Sequence, residues 1–362
     1  MVTPSFVKEV VRTCLRIGKN DRVIIFTWRH TIDLAEALAK ECIRAGAKIH
    51  TEFSTDEIFY DTLMNSDTEY LKTSNPFEDS LVDIATASIF ISGPEDPERL
   101  KHVPIERWNI VSKADKPFYD KLFERKVRSA EILLGHVTSQ RARTYGFDYK
   151  EWQKNVNDAL DVKYEDMRKR GMKLRDLLEQ TQKVHITATN GTNLTFNLED
   201  RPINLHDGVV DEKDVENGAI FEGLPSGVVQ LAPSETSANG TFISNVPEPT
   251  TGVLLSYIRW DFKDGKIVTF EGGKNIDIVK EMWKKGTGDK NRIGTFTLGI
   301  NPKAKTGFTY NPIVLGTVTI TIGDNTKIGG KNESDWGFQS TLAQPTVELD
   351  GKTIIKQGKF TF

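Results

Sequence analysis

The chain has 362 residues, of which 38% are hydrophobic and 27% charged, with a net charge of −3. That composition suits a soluble globular protein of two domains, at roughly 150 residues per domain. It argues against a nucleic-acid partner, because basic residues are matched by acidic ones. Even Arg168-Lys169-Arg170 lies among Glu165, Asp166 and Asp176 and reads as a solvated helix face. No apolar stretch approaches the roughly 18 residues a bilayer requires, and the N-terminus lacks the pattern of a signal peptide. We therefore expect a cytoplasmic protein without a membrane partner. Its two cysteines, Cys14 and Cys42, fall on apolar stripes of predicted helices and read as buried free thiols.

Thr3 and Pro4 start a predicted helix whose stripe is Phe6, Val7, Val10, Val11, Cys14 and Leu15, stopped by Gly18. A strand at Arg22–Thr27, a helix around Asp33–Ala45 closed by Gly46, and a strand at Ala47–Phe53 make a β-α-β unit. Another strand, Ala87–Ser92, ends at the breaker Gly93-Pro94. This alternation implies a parallel, doubly wound sheet. The link Thr27-Trp28-Arg29-His30 contains no glycine, which argues against a dinucleotide site. Polar helices are expected from about Asp148 to Gln182.

Glycine usage then changes. Six of the 28 glycines lie in residues 1–182, leaving 28 − 6 = 22 for residues 183–362. Helices tolerate glycine poorly and tight turns demand it, so the expected organisation is a helix-rich α/β domain at 1–182 and a strand-rich domain at 183–362. The latter opens with a hairpin, Val184–Thr189 and Leu194–Leu198, around Asn190-Gly191-Thr192-Asn193. Strands follow at Leu254–Phe262, Lys266–Phe270, Gly294–Gly299, Gly316–Ile322 and Thr353–Phe362, with one helix at about Ile276–Lys285.

Four segments here occur in a telling order: Asn190-Gly-Thr-Asn-Leu194; Leu224-Pro-Ser-Gly-Val-Val-Gln-Leu-Ala-Pro233, with Asn239-Gly240 behind it; Ile293-Gly-Thr-Phe-Thr-Leu-Gly-Ile-Asn301; and Gly316-Thr-Val-Thr-Ile-Thr-Ile-Gly323. With Pro345-Thr-Val-Glu-Leu-Asp-Gly-Lys352 as a closing segment, the set resembles the aminopeptidase T and aminopeptidase S family of metallopeptidases. The resemblance implies a second domain holding two metal ions through a glutamate in Pro-x-Gly-Glu, a glutamate in Leu-Gly-Glu, a histidine in Gly-Thr-x-His and a later His-x-Asp. Such a pair of cations acidifies a bound water from a pKa near 16 to about 7.

Laid on this sequence, each implied ligand position departs. Val228 stands for the first glutamate, Thr295 for the second and Thr319 for the histidine; Ser334-Asp-Trp-Gly-Phe338 places Asp335 at the second histidine and Gly337 at the aspartate. No histidine or cysteine follows His206, so the imidazole and thiolate ligands that catalytic zinc, cobalt or iron normally takes are absent there. The iron ligands implied by similar ring-opening dioxygenases (glutamate, histidine, aspartate) are missing as well. Val228, Thr295, Thr319, Asp335 and Gly337 are expected to converge on one pocket without catalytic residues, metal or cofactor.

Other constellations offer less. His30, at the end of the first strand, lies where open α/β sheets often form a ligand crevice, but it reads first as structural; His185 reads as a packed strand residue. Asp324, Glu333 and Asp335 offer oxygen ligands without EF-hand spacing and read as a solvated loop. The resulting expectation is a non-catalytic homologue that binds a peptide or small molecule or serves assembly, packed as a homodimer or larger homo-oligomer. The rival readings are a hydrolase using an oxygen-ligand metal site or groups around His30, and a structural subunit of a larger complex.

Overall fold

In the computed structural model, which describes residues 3–91, 93–250 and 253–362, the apolar run Arg22–Trp28 forms β1, an interior strand of a five-stranded parallel sheet. The sheet's other strands are β2 (Lys48–Ser54), β3 (Ala87–Ile91), β4 (Arg128–Ile132) and β8 (Phe221–Leu224), in the order β2-β1-β3-β4-β8. Ser92, expected to end β3, lies outside the described residues. The sheet grows from β1 in both directions, as a doubly wound fold requires. Helix Ile32–Arg44 buries Leu34, Ala35, Leu38 and Cys42, the stripe that its apolar spacing encodes. The expected first helix is shorter than its stripe: Pro4–Glu9 is α-helical, capped by the Thr3 side chain, and Val10–Cys14 continues as a π-helical turn. Both cysteines are buried thiols outside any disulfide, and burial pushes the Cys42 thiol up to about 12.

The chain divides into two compact units, Met1–Glu165 with Gly208–Pro225, and Asp166–Asp207 with Ser226–Phe362. This differs from a single cut at residue 182. Residues 208–225 return to the first unit because β8 pairs in parallel with β4, Ser129 opposite Phe221. The helix Tyr164–Glu179 contains the other boundary.

The second unit carries two antiparallel sheets. The larger has the order β14-β13-β10-β6-β5-β18-β19-β20. Its strands are β5 (Lys183–Thr187), β6 (Asn193–Asn197), β10 (Asn239–Ile243), β13 (Ile258–Lys263), β14 (Lys266–Gly272), β18 (Thr346–Leu349), β19 (Lys352–Lys356) and β20 (Lys359–Phe360). The smaller, β17-β16-β15-β9-β7, is built from β7 (Asn204–His206), β9 (Val228–Leu231), β15 (Ile293–Gly299), β16 (Val318–Gly323) and β17 (Gly337–Leu342). A short hairpin joins β11 (Glu248–Thr250) and β12 (Val253–Leu255). The strand expected over Leu254–Phe262 is thus two strands, β12 and β13, in different sheets, whereas the expected helix forms at Ile276–Lys285.

Alternation decides how the two sheets meet. Phe296, Leu298, Val318, Ile320 and Ile322 are buried on one face of the smaller sheet, and Phe196 of β6 meets Phe296 edge-on at 5.2 Å. Trp260 of β13 packs 6.3 Å from Phe338 and donates from Nε1 to Ser340 Oγ at 3.0 Å. The opposite face of the smaller sheet therefore receives the polar members of the same strands.

Candidate functional site

That second face is rich in threonine. Thr319 of β16 lies opposite Thr297 of β15 and Thr341 of β17; one step along, Thr321 lies opposite Thr295 and Gln339. Strand β9 continues the row with Gln230 opposite Thr297 and Val228 opposite Gly299, and β7 adds Asn204 and His206. Register and the two-residue period put all of these on one side. The hydroxyls satisfy one another: Thr319 Oγ1 lies 2.9 Å from Thr341 Oγ1, and Thr321 Oγ1 donates to Thr295 Oγ1 at 2.7 Å. Gln230 Nε2 is 3.2 Å from His206 Nε2.

The five expected positions are only partly brought together. Thr295 and Thr319 occupy neighbouring strands on this face. Val228 shares it but begins β9 opposite Gly299, whereas Gly337 begins β17 opposite Gly323, at the other end of the sheet. Those ends are about 20 Å apart at 3.3 Å per residue over a seven-residue strand. Asp335 precedes β17, is exposed, and accepts hydrogen bonds from the Thr287 backbone N–H at 2.5 Å and hydroxyl at 2.9 Å, which hold its carboxyl below the usual range. Thr295 and Thr319 are thus neighbours, Val228 and Gly337 lie at opposite ends of the same face, and Asp335 lies before the strand. Beside Thr321 and Thr319, β17 instead presents Gln339 and Thr341, each four positions later (335 to 339, 337 to 341). Counting back from the closing segment at Pro345 was the signal that could have located them.

Two of the motif glycines are required by packing. Gly227, just before Val228, has φ +133°, and a Cβ there would meet Asn301 Cβ at 2.8 Å. Asn301 in turn donates to Ser226 O at 2.8 Å, tying the start of β9 to the end of β15. Gly316 has φ +78° and leaves no room for a side chain against Gly358 O. The Pro-x-Gly and Gly-Thr frames thus serve the sandwich itself, whatever side chain follows them.

The sequence reading missed Glu248, between Pro247 and Pro249, which supplies a carboxyl to this face. It is 2% exposed. Gln339 Nε2 and Asn311 Nδ2 donate to its Oε2 at 3.2 and 3.3 Å, and Oε1 has no hydrogen-bond partner. Burial pushes its pKa up to about 7 against the opposing effect of Thr341, Asn311 and Gln339. Among the described residues no group of three or more histidine, cysteine, aspartate or glutamate side chains is placed to hold a metal ion. The donors present on the face are mutually bonded hydroxyls, amides, the single imidazole of His206 and one carboxyl, and one imidazole and one carboxyl are too few to hold a pair of catalytic divalent ions.

Elsewhere, Asp324 accepts from the hydroxyl and N–H of Thr326 and caps its own turn. His30 lines a groove of about 950 Å³ with Lys40, Tyr149 and Asn157, but its Nε2 is held 2.9 Å from Gly135 O. A cavity of about 1300 Å³ in the second unit opens between residues 178–183, 197–203 and Asp350, and contains none of the threonine-face residues.

A family model described as thermophilic metalloprotease (M29) matches residues 4–314. The chain belongs to that family. Among M29-like relatives, it is 23% identical to aminopeptidase PepS of Streptococcus thermophilus over 268 residues, 67% of this chain and 61% of the relative. It is 22% identical to 2,5-dihydroxypyridine 5,6-dioxygenase of Pseudomonas putida over 209 residues, 54% of this chain and 58% of the relative. The chain thus spans about three fifths of the curated relatives it matches. In fold it is similar to wild-type AmpT from Thermus thermophilus, with a TM-score of 0.74 at 17% identity over 99% of this chain and 98% of that one. It is also similar to the 2,5-dihydroxypyridine dioxygenase structure from Pseudomonas putida KT2440, with a TM-score of 0.66 at 16% identity over 99% and 96%. The M29 assignment agrees with the mixed architecture of parallel and antiparallel sheets.

Proposed function

We propose that this M29 homologue has lost the dinuclear metal site and acts as a non-catalytic protein that binds a peptide or small molecule or serves in assembly. The observation that carries this reading is the makeup of the threonine face. Thr295, Thr319 and Thr341 spend their hydroxyls on cross-strand hydrogen bonds, and Val228 offers no ligand at all. Without a bound cation no water is acidified and no developing oxyanion is stabilised, so peptide hydrolysis at this face falls to background.

Elemental analysis of purified protein, paired with an aminopeptidase assay before and after chelation, tests the reading. Well under one equivalent of zinc, cobalt, manganese or iron is expected, with no chelator-sensitive activity. Near-stoichiometric metal removed together with activity overturns it.

The proposed setting is the cytoplasm. No helix among the described residues is long and apolar enough to cross a membrane. Self-association into a homodimer is the proposed state of assembly, since a net charge of −3 does little to oppose it. Light scattering at micromolar concentration should report twice the chain mass or more; a monomer throughout that range refutes it.

A further inference from the structure

We propose that Glu248 is a proton-controlled latch on the threonine face: while neutral it seats residues 244–250 against β17, and on ionising it lets that segment detach and expose the face to a ligand. The latch deepens the proposed function, on which it rests for the face being free of metal. Its geometry is that of a carboxylic acid rather than a carboxylate. Glu248 is 2% exposed, its Oε1 has no partner at hydrogen-bond distance, and the groups that act on the carboxyl by hydrogen bonding, Thr341, Asn311 and Gln339, are all uncharged. An ionised carboxylate left in such surroundings loses its hydration without a compensating charge.

No charged side chain stands among the groups that act most strongly on it. After burial come Thr341 and Gln339 from β17 and Asn311 from the connection between β15 and β16, all uncharged. The segment's other ties to β17 and to Ala343 just beyond it come from groups that do not titrate. Asn245 N and Val246 N both donate to Thr341 O, at 3.3 and 3.4 Å, and the Asn245 side chain pairs with the Ala343 backbone. Detaching it releases Gln339 and Thr341, the β17 residues it hydrogen-bonds, on the face that also carries Thr319.

The sign follows from the direction of the shift. The folded group titrates at about 7 and the free one at 4.5, so the latch is fully stabilised below pH 4.5 and weakens as pH rises toward 7. Each pH unit in that window multiplies the opening constant by up to ten, roughly 300-fold in all.

Hydrogen exchange of full-length protein in chelator, from pH 4.5 to 8 and corrected for intrinsic rates, reads this directly at the amides of Asn245 and Val246. Protection is expected to fall by about two orders of magnitude in wild type and to stay level in Glu248→Gln, which is permanently neutral. A flat wild-type profile, or the same decline in both proteins, overturns the latch. The wild-type profile alone decides the matter if the variant does not fold. Metal content measured on the same preparations before chelation tests the proposed function separately, so either idea fails without the other.

Discussion

Replacing Arg201 by methionine is expected to destabilise the second unit by about 3–5 kcal/mol, the cost of stranding a buried charge. The Arg201 side chain is only 5% exposed, and it grips Glu235, itself 9% exposed, through Nη1–Oε1 at 2.5 Å and Nη2–Oε2 at 2.7 Å. It also donates to Pro233 O and to Glu199. Glu235 further accepts from Lys331 N and Asn325 Nδ2, so one carboxylate joins three separate stretches of chain. Burial alone would raise the Glu235 pKa; the hydrogen bonds from Arg201 and the Lys331 backbone outweigh it and bring it down to about 2.

A group whose folded pKa lies below its free value of 4.5 contributes stability that is present above pH 4.5 and lost as pH falls toward 2. The gap between wild type and Arg201→Met should therefore narrow through that window. Urea denaturation at pH 7 and at pH 3 measures both effects. The double variant Arg201→Met/Glu235→Leu should recover part of the loss, because no lone charge remains. A loss below about 1 kcal/mol at pH 7 would show that the pair does not act as a buried clamp.

Trp260→Ala should cost a comparable amount, about 3–5 kcal/mol for a large aromatic removed from a core. Trp260 is fully buried, 5.0 Å from Phe270 within its own sheet and 6.3 Å from Phe338 in the other. Its indole N–H also satisfies the buried Ser340 hydroxyl. Alanine removes the contact between the sheets and leaves Ser340 without its donor, so Trp260→Phe, which keeps a ring, should lose less. The ordering wild type, Phe, Ala in chemical denaturation is the expected result, with the denaturant dependence unchanged. Equal loss in both variants would mean that the hydrogen bond, and not the packed ring, holds the sheets together.

Much of the fold is legible in local sequence. Strands β15 and β16 alternate Phe296 and Leu298 with Thr295 and Thr297, and Ile320 and Ile322 with Thr319 and Thr321, so a two-residue period announces both the strand and its two faces. The helix Ile276–Lys285 is equally local. The family also shows at this level, because motif glycines such as Gly227 and Gly316 are required by a positive φ and by crowding against a neighbouring segment. The lack of histidine and cysteine beyond His206 is a compositional fact that no folding changes.

Other features needed the assembled chain. That residues 208–225 belong with the first unit follows from the parallel pairing of β8 with β4, between segments about ninety positions apart, and no local period encodes it. Gln339 and Thr341, not Asp335 and Gly337, stand beside Thr321 and Thr319 because strand register is set by the partner strand and by the turn before it. Glu248 is an unremarked residue between two prolines until residues 244–248 cross β17 and bury its carboxyl against Gln339 and Asn311. Propensity and period are properties of a few consecutive residues and can be read from them. Register, burial and the pKa of a carboxyl depend on what distant segments bring, and only the tertiary structure decides those.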